Sequence, residues 1–84
     1  MNDKLSLVFH PNFINQLPQI GSYGTDFIMI VRYCFELYLK VDSLIPIQTW
    51  EKNGNTLNKI EKSDYIFYYS IRENNFHFIK IEKK

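Results

Sequence analysis

Apolar positions in this chain come in short bursts, and the period within each burst predicts its backbone. Leu5 to Phe9 is a brief apolar run that reads as a first strand, ended by His10-Pro11-Asn12. Asn12 can cap a helix over Phe13 to Ile20, which gathers Phe13, Ile14, Leu17 and Ile20 on one face. Pro18 weakens the last turn of that helix. Gly21-Ser22-Tyr23-Gly24-Thr25-Asp26 is then a turn-rich loop.

The segment Phe27 to Asp42 carries two periods at once. Arg32, Glu36 and Lys40 form an i, i+4 line, as on a helix whose remaining surface would be almost wholly apolar. A spacing of four also fits a strand. The odd positions from Phe27 to Val41 are all apolar, and that alternation favours a strand with a bend or bulge in it.

Downstream, Leu44 to Glu51 and Thr56 to Lys62 flank Asn53-Gly54, the strongest short hairpin signal, because both residues tolerate positive φ. A two-residue loop sets Trp50 opposite Leu57. Pro46 cannot donate to a ladder, which places this strand at a sheet edge. Ser63-Asp64 makes the next turn. Tyr65 to Arg72 and Phe76 to Glu82 form a second hairpin around Asn74-Asn75, with Ile71 opposite Phe78. The apolar phase slips between Phe78 and Ile79, so the last strand is bulged there or buried on both faces at its start.

These elements predict an α+β fold: a mainly antiparallel β-meander of about five strands with one short N-terminal helix. The 84 residues, 1–84, form a single domain. Alanine is absent, while Ile, Tyr, Phe and Val abound, which suits strands; the Ile, Asn, Lys and Tyr excess equally matches AT-rich codons. The net charge is +1, and the ten basic residues interleave with nine acidic ones. That balance disfavours general nucleic-acid binding, which concentrates Lys and Arg. Charges at Arg32, Glu36 and Lys40 break up the most apolar stretch, so no membrane span is expected. One cysteine, Cys34, allows no internal disulfide, and the first residues lack the apolar core of a signal peptide. The expected location is cytoplasmic.

Candidate chemistry is sparse. His10 and His77 could each act as a general base, but neither has a nucleophile or orienting partner nearby in sequence. Cys34 reads as a small buried thiol. No closely spaced Cys/His/Asp/Glu cluster suggests a metal, and Gly21-Ser22-Tyr23-Gly24 lacks the ending of a phosphate loop. No cofactor is expected. The run Tyr65-Ile66-Phe67-Tyr68-Tyr69 is distinctive: a strand turns Tyr65, Phe67 and Tyr69 one way and Tyr68 the other. Exposed Tyr and Trp make good contact residues, which nominates Tyr38, Trp50 and Tyr68, with Arg72 as a charged neighbour, for partner binding. All three rings could equally complete a small core.

The stretch Ser63 to Ile71, followed by Asn74-Asn75 and Phe76 to Ile81, resembles the last strands of RelE/ParE-type toxins, which carry an Asp-Tyr-Arg-Ile-x-Tyr pattern. Leu7 to Ile14 is similar to their first strand and helix start. The resemblance covers about a third of the chain and implies a helical hairpin where the alternation favours a strand. Ile66 stands where the pattern has Arg, and the strongly basic character of the ribosome-targeting members is missing. The expected function is a small non-enzymatic inhibitor of the immunity or anti-defence type, masking a protein partner. A second copy of the chain is a further candidate partner. The alternative is a RelE/ParE-like toxin or a degenerate relative.

Overall fold

The computed structural model describes residues 5–20 and 25–84. In chain order these form β1 (Ser6–Phe9), α1 (Pro11–Ile20), α2 (Thr25–Leu39), a 3₁₀ turn (Val41–Ser43), β2 (Gln48–Lys52), β3 (Asn55–Lys62), β4 (Tyr65–Arg72) and β5 (Asn75–Lys83). The five strands make one mixed sheet in the order β1-β5-β4-β3-β2. Strands β2 to β5 are the expected antiparallel meander, with β2 at an edge as expected, although it begins at Gln48 and leaves Pro46 outside the strand. The first strand departs from it, lying parallel to β5 with Leu7 beside Phe76 and Phe9 beside Phe78. A parallel pair needs a long crossover, and here everything between β1 and β5 serves as one. The α+β fold and the mainly antiparallel five-strand sheet are as expected; the single short helix is corrected to two helices, and the meander to a mixed sheet with β1 parallel.

Pro11 opens α1, where its missing N–H costs nothing and its fixed φ suits the first turn. The cap is His10 rather than Asn12: its Nδ1 accepts from the Asn12 backbone N–H at 3.0 Å. Pro18 is accommodated inside the helix near its end. The apolar face of α1 buries Phe13 and half-buries Leu17 and Ile20, while Ile14 stays exposed. Gln16 Oε1 accepts from the Ile81 N–H at 3.1 Å. That donor lies on β5 beyond the end of the short β1, so Gln16 takes the place of a strand partner.

The second correction concerns Phe27 to Asp42, which is the helix α2 followed by the 3₁₀ turn rather than a strand. Ile30, Cys34 and Leu37 are buried at helical spacing, and Tyr33, Tyr38 and Val41 pack against the same core. The alternation misled because residues 27–31 are all apolar, and such a run carries no readable period. A strand this long would also need backbone partners along its whole length, whereas a helix satisfies its N–H and C=O groups internally. The loop expected at Gly21–Asp26 falls at 21–24 outside the described residues; Thr25 and Asp26 begin the helix.

The Asn53-Gly54 turn forms as expected, with φ of 54° and 79°, and Trp50 pairs with Leu57. Ser63, at φ 59°, makes the next turn. The last turn is corrected: Glu73 and Asn74, at φ 50° and 65°, occupy it, so Ile71 pairs with Phe76 and Arg72 with Asn75. This two-residue shift keeps every side chain on its face. It also stacks Phe76 on Tyr69, with ring centroids 4.9 Å apart. The register breaks between Tyr68, opposite Lys80, and Tyr69, opposite Phe78, which leaves Ile79 as the extra residue of a bulge where the apolar phase slips.

Helices lie over one face of the sheet, where Phe13, Phe67, Phe76 and Phe78 are at most 1% exposed. Cys34 is buried in the same core, and burial pushes its thiol up from 9.0 to about 12. Its folded state keeps a proton that the unfolded chain releases near 9. The associated stability is thus complete below pH 9 and declines as pH rises from 9 toward 12. Chemical unfolding on either side of pH 9 should show this decline, and it should be shallower in Cys34→Ala. In the hairpin, a Cβ at Gly54 would meet nothing within 4 Å, so a larger residue there is penalised through φ alone. Gly54→Val should lower stability by roughly 1 kcal/mol or more, read as a lower Tm.

Candidate functional site

Strand parity turns one set of side chains into the core and the other onto a face that no helix covers. The open set runs across all strands: Trp50 and Lys52 from β2, Leu57, Lys59 and Glu61 from β3, Ile66, Tyr68, Ser70 and Arg72 from β4, and His77, Lys80 and Glu82 from β5. Val8 lies beside His77, and His10, just past the end of β1, falls on the same side. Ile79 keeps the outward parity of His77, and the extra residue at the bulge turns Lys80 to this face as well, against the alternation that Phe76 and Phe78 set up.

A cleft of about 590 Å³ opens on this face. Its charged and titratable lining is His10, Lys52, Arg72 and His77, and no Asp or Glu is among the described residues that border it. Ser70, buried and paired with His77 across β4 and β5, forms part of its floor. A second depression of about 300 Å³ shares Trp50, Leu57 and Ile79 with the first and extends to Tyr68 and Lys80. The chain is balanced in charge overall, yet the charged and titratable groups of this concavity are cationic or imidazole only. Interleaving along the sequence concealed that, because the sheet sorts residues by face and not by order.

Three of the four nominated residues meet here. Trp50, 39% exposed, stacks on Tyr68 with ring centroids 6.2 Å apart and planes 23° from parallel. Lys80 Nζ stands 5.3 Å from the centre of the Tyr68 ring, and the Tyr68 hydroxyl donates to Glu82 Oε1 at 3.1 Å. Burial pushes the Tyr68 phenol up, and the Glu82 carboxylate adds to the effect. The ion pair with Lys80 and the hydroxyl of Tyr68 in turn hold Glu82 below the usual carboxylate range. The Tyr68 ring is therefore anchored at its hydroxyl end and presents an edge and a face beside Trp50. Arg72 donates from Nη1 to Asn55 Oδ1 at 2.9 Å, which aims the guanidinium at the cleft while leaving other N–H donors for a partner.

Tyr38 is elsewhere. The parity argument for its exposure assumed a strand; on α2 it is half-buried, edge-on to Phe76 at 6.0 Å, and its hydroxyl donates to the Leu5 carbonyl. It ties the helix to the first strand on the covered side of the sheet. His10 and His77, which had no partner in sequence, are the residues that topology adds to the site. The parallel pairing of β1 with β5 brings them together, and nothing local encodes it. Because His10 Nδ1 accepts the Asn12 N–H, the neutral ring carries its proton on Nε2. Cys34 lies in the core on the other side of the sheet, so no Cys-His pair forms. Among the described residues no group of His, Cys, Asp and Glu could hold a metal, and no helix is long and apolar enough to cross a membrane.

Tyr38→Phe should cost about 1 kcal/mol through the lost hydrogen bond, whereas Trp50→Ala should leave Tm nearly unchanged; thermal denaturation of the two variants checks the contrast. No protein-family model, curated protein or solved structure matches this chain.

Proposed function

We propose that the protein is a non-enzymatic inhibitor that binds a protein partner on the open face of its sheet and masks it. The observation that carries this reading is the stacked pair Trp50–Tyr68, with Arg72 alongside, on a face without helical cover. Trp, Tyr and Arg are the residue types that dominate binding energy at protein interfaces. A rigid aromatic pair loses little conformational freedom on binding, and its position over Leu57 and Ile79 offers an apolar centre with polar surroundings. The lining of His10, Lys52, Arg72 and His77 favours a partner that presents acidic side chains at this point. The reading of an inhibitor of the immunity or anti-defence kind rests on this surface.

A second reading has its own support. The helix α2 occupies the segment where the RelE/ParE resemblance implies helix. The same cleft collects two histidines and an arginine, groups that could hold a phosphate and move protons. Arginine reaches the open face from Arg72, although Ile66 fills the position that the toxin pattern gives to Arg. On this reading the chain is a toxin or a degenerate relative of one.

Affinity capture followed by alanine substitution tests the first reading. Trp50→Ala, Tyr68→Ala and Arg72→Ala should each weaken capture of the partner, with about 2 kcal/mol expected for Trp50, while Tm falls little. Expression of the protein alone should leave bacterial growth unaffected. Growth arrest that His77→Ala or Arg72→Ala relieves would instead establish the second reading.

A further inference from the structure

The outward side of α2 is not used by the core or by the open face. Phe27, Ile28, Phe35 and Leu39 are 50%, 61%, 47% and 76% exposed there, and Ile45, just past the 3₁₀ turn, is 84% exposed. At about 100° per residue, Ile28, Arg32, Phe35 and Leu39 fall within a wedge of roughly 60° along the helix. Their spacing is four, three, four, which reads the same from either end. An antiparallel pair of identical helices about a twofold axis requires that symmetry, because each residue then meets the one whose number completes a constant sum.

We infer that α2 is a self-association interface, pairing antiparallel with α2 of a second copy so that Ile28 meets the partner's Leu39 and Arg32 meets the partner's Phe35. The charges fit this arrangement. Arg32, the one charged residue in the stripe, comes over the ring of the partner's Phe35 and next to the partner's Glu36. A cation placed in an apolar interface needs such a counterion. Glu36 can serve: it is half-exposed and ionised, with its hydrogen bond from Lys62, 2.9 Å away, holding its carboxyl below the usual range. Symmetry produces the Arg32–Glu36 pair twice. Within one helix the order Arg before Glu at i, i+4 is the weaker one, so these charges gain more between copies than alone. This interface leaves the open face of the sheet free and does not depend on the function proposed for it.

Sedimentation equilibrium of the full chain over a wide concentration range tests the inference. The wild type should be dimeric. Leu39→Asp and Ile28→Asp should weaken the dimer by roughly tenfold or more while leaving the far-UV circular dichroism unchanged. Arg32→Glu and Glu36→Lys should each be monomeric, since each sets like charges against one another across the axis. Mixed together they should form a heterodimer, because every cross-axis pair is then opposite in sign. A wild type that stays monomeric throughout, a dimer that survives Leu39→Asp, or a mixture of the two charge variants that remains monomeric would each overturn the inference.

Discussion

A continuous set of ring contacts ties this small domain together. Phe9 stacks on Phe78 at 5.6 Å, Phe13 from α1 packs on both, and Phe78 meets Phe67 at 5.9 Å and Phe76 at 4.9 Å. Phe76 continues the set to Tyr69 and to Tyr38. These rings come from β1, α1, α2, β4 and β5, elements far apart in the chain. A domain of this length buries a modest fraction of its surface, so a few large side chains must supply most of the hydrophobic stabilisation. Replacing one such phenylalanine by alanine typically costs about 3–5 kcal/mol, a large part of the stability of so small a domain.

Once that cluster occupies one side of the sheet, the character of the other side follows. Every residue of opposite parity along the strands is turned away from the helices. The bulge at Ile79 lets β5 place Phe76, Phe78 and Ile81 in the core despite their uneven spacing. Ile79 keeps the outward parity of His77 and, with Trp50 and Leu57, gives the open face an apolar floor, while the bulge adds Lys80 to the same face. Core packing and site construction are thus one event in this strand. Charge follows the same sorting. Basic and acidic residues alternate in sequence with little net effect, but parity and strand order collect Lys52, Arg72 and two histidines around a single concavity.

Helix α2 shows a different balance. Its inward stripe of Ile30, Cys34 and Leu37 is buried, and its outward stripe is nearly as apolar. A helix of this kind gains less from folding alone than its composition suggests, since Phe27, Ile28, Phe35 and Leu39 stay exposed to water. Exposed apolar patches of this extent on small proteins generally mark contact surfaces. The molecule therefore has two unlike surfaces: a cationic, aromatic concavity on the sheet, and an apolar helix stripe with one charge at its centre.

Local chemistry determined much of this protein directly from the sequence. The Asn53-Gly54 hairpin was legible because a type I′ turn needs two residues that accept positive φ. The slip between Phe78 and Ile79 pointed to a bulge as one of two outcomes, and the outward turn of Tyr68 followed from strand parity. Each of these signals acts over a few residues. Tertiary structure alone decided the rest. Residues 27–42 satisfied helix and strand periods alike, and only the need to cover the phenylalanine cluster with a self-satisfied backbone selects the helix. The turn at Glu73-Asn74 rather than Asn74-Asn75 depended on stacking Phe76 against Tyr69. The parallel pairing of β1 with β5 joins segments at opposite ends of the chain, and no local preference encodes it. Tyr38 moved to the covered side, and His10 met His77 and Arg72, for the same reason: contact across long sequence separation is fixed by burial, which belongs to the whole chain and to no segment of it.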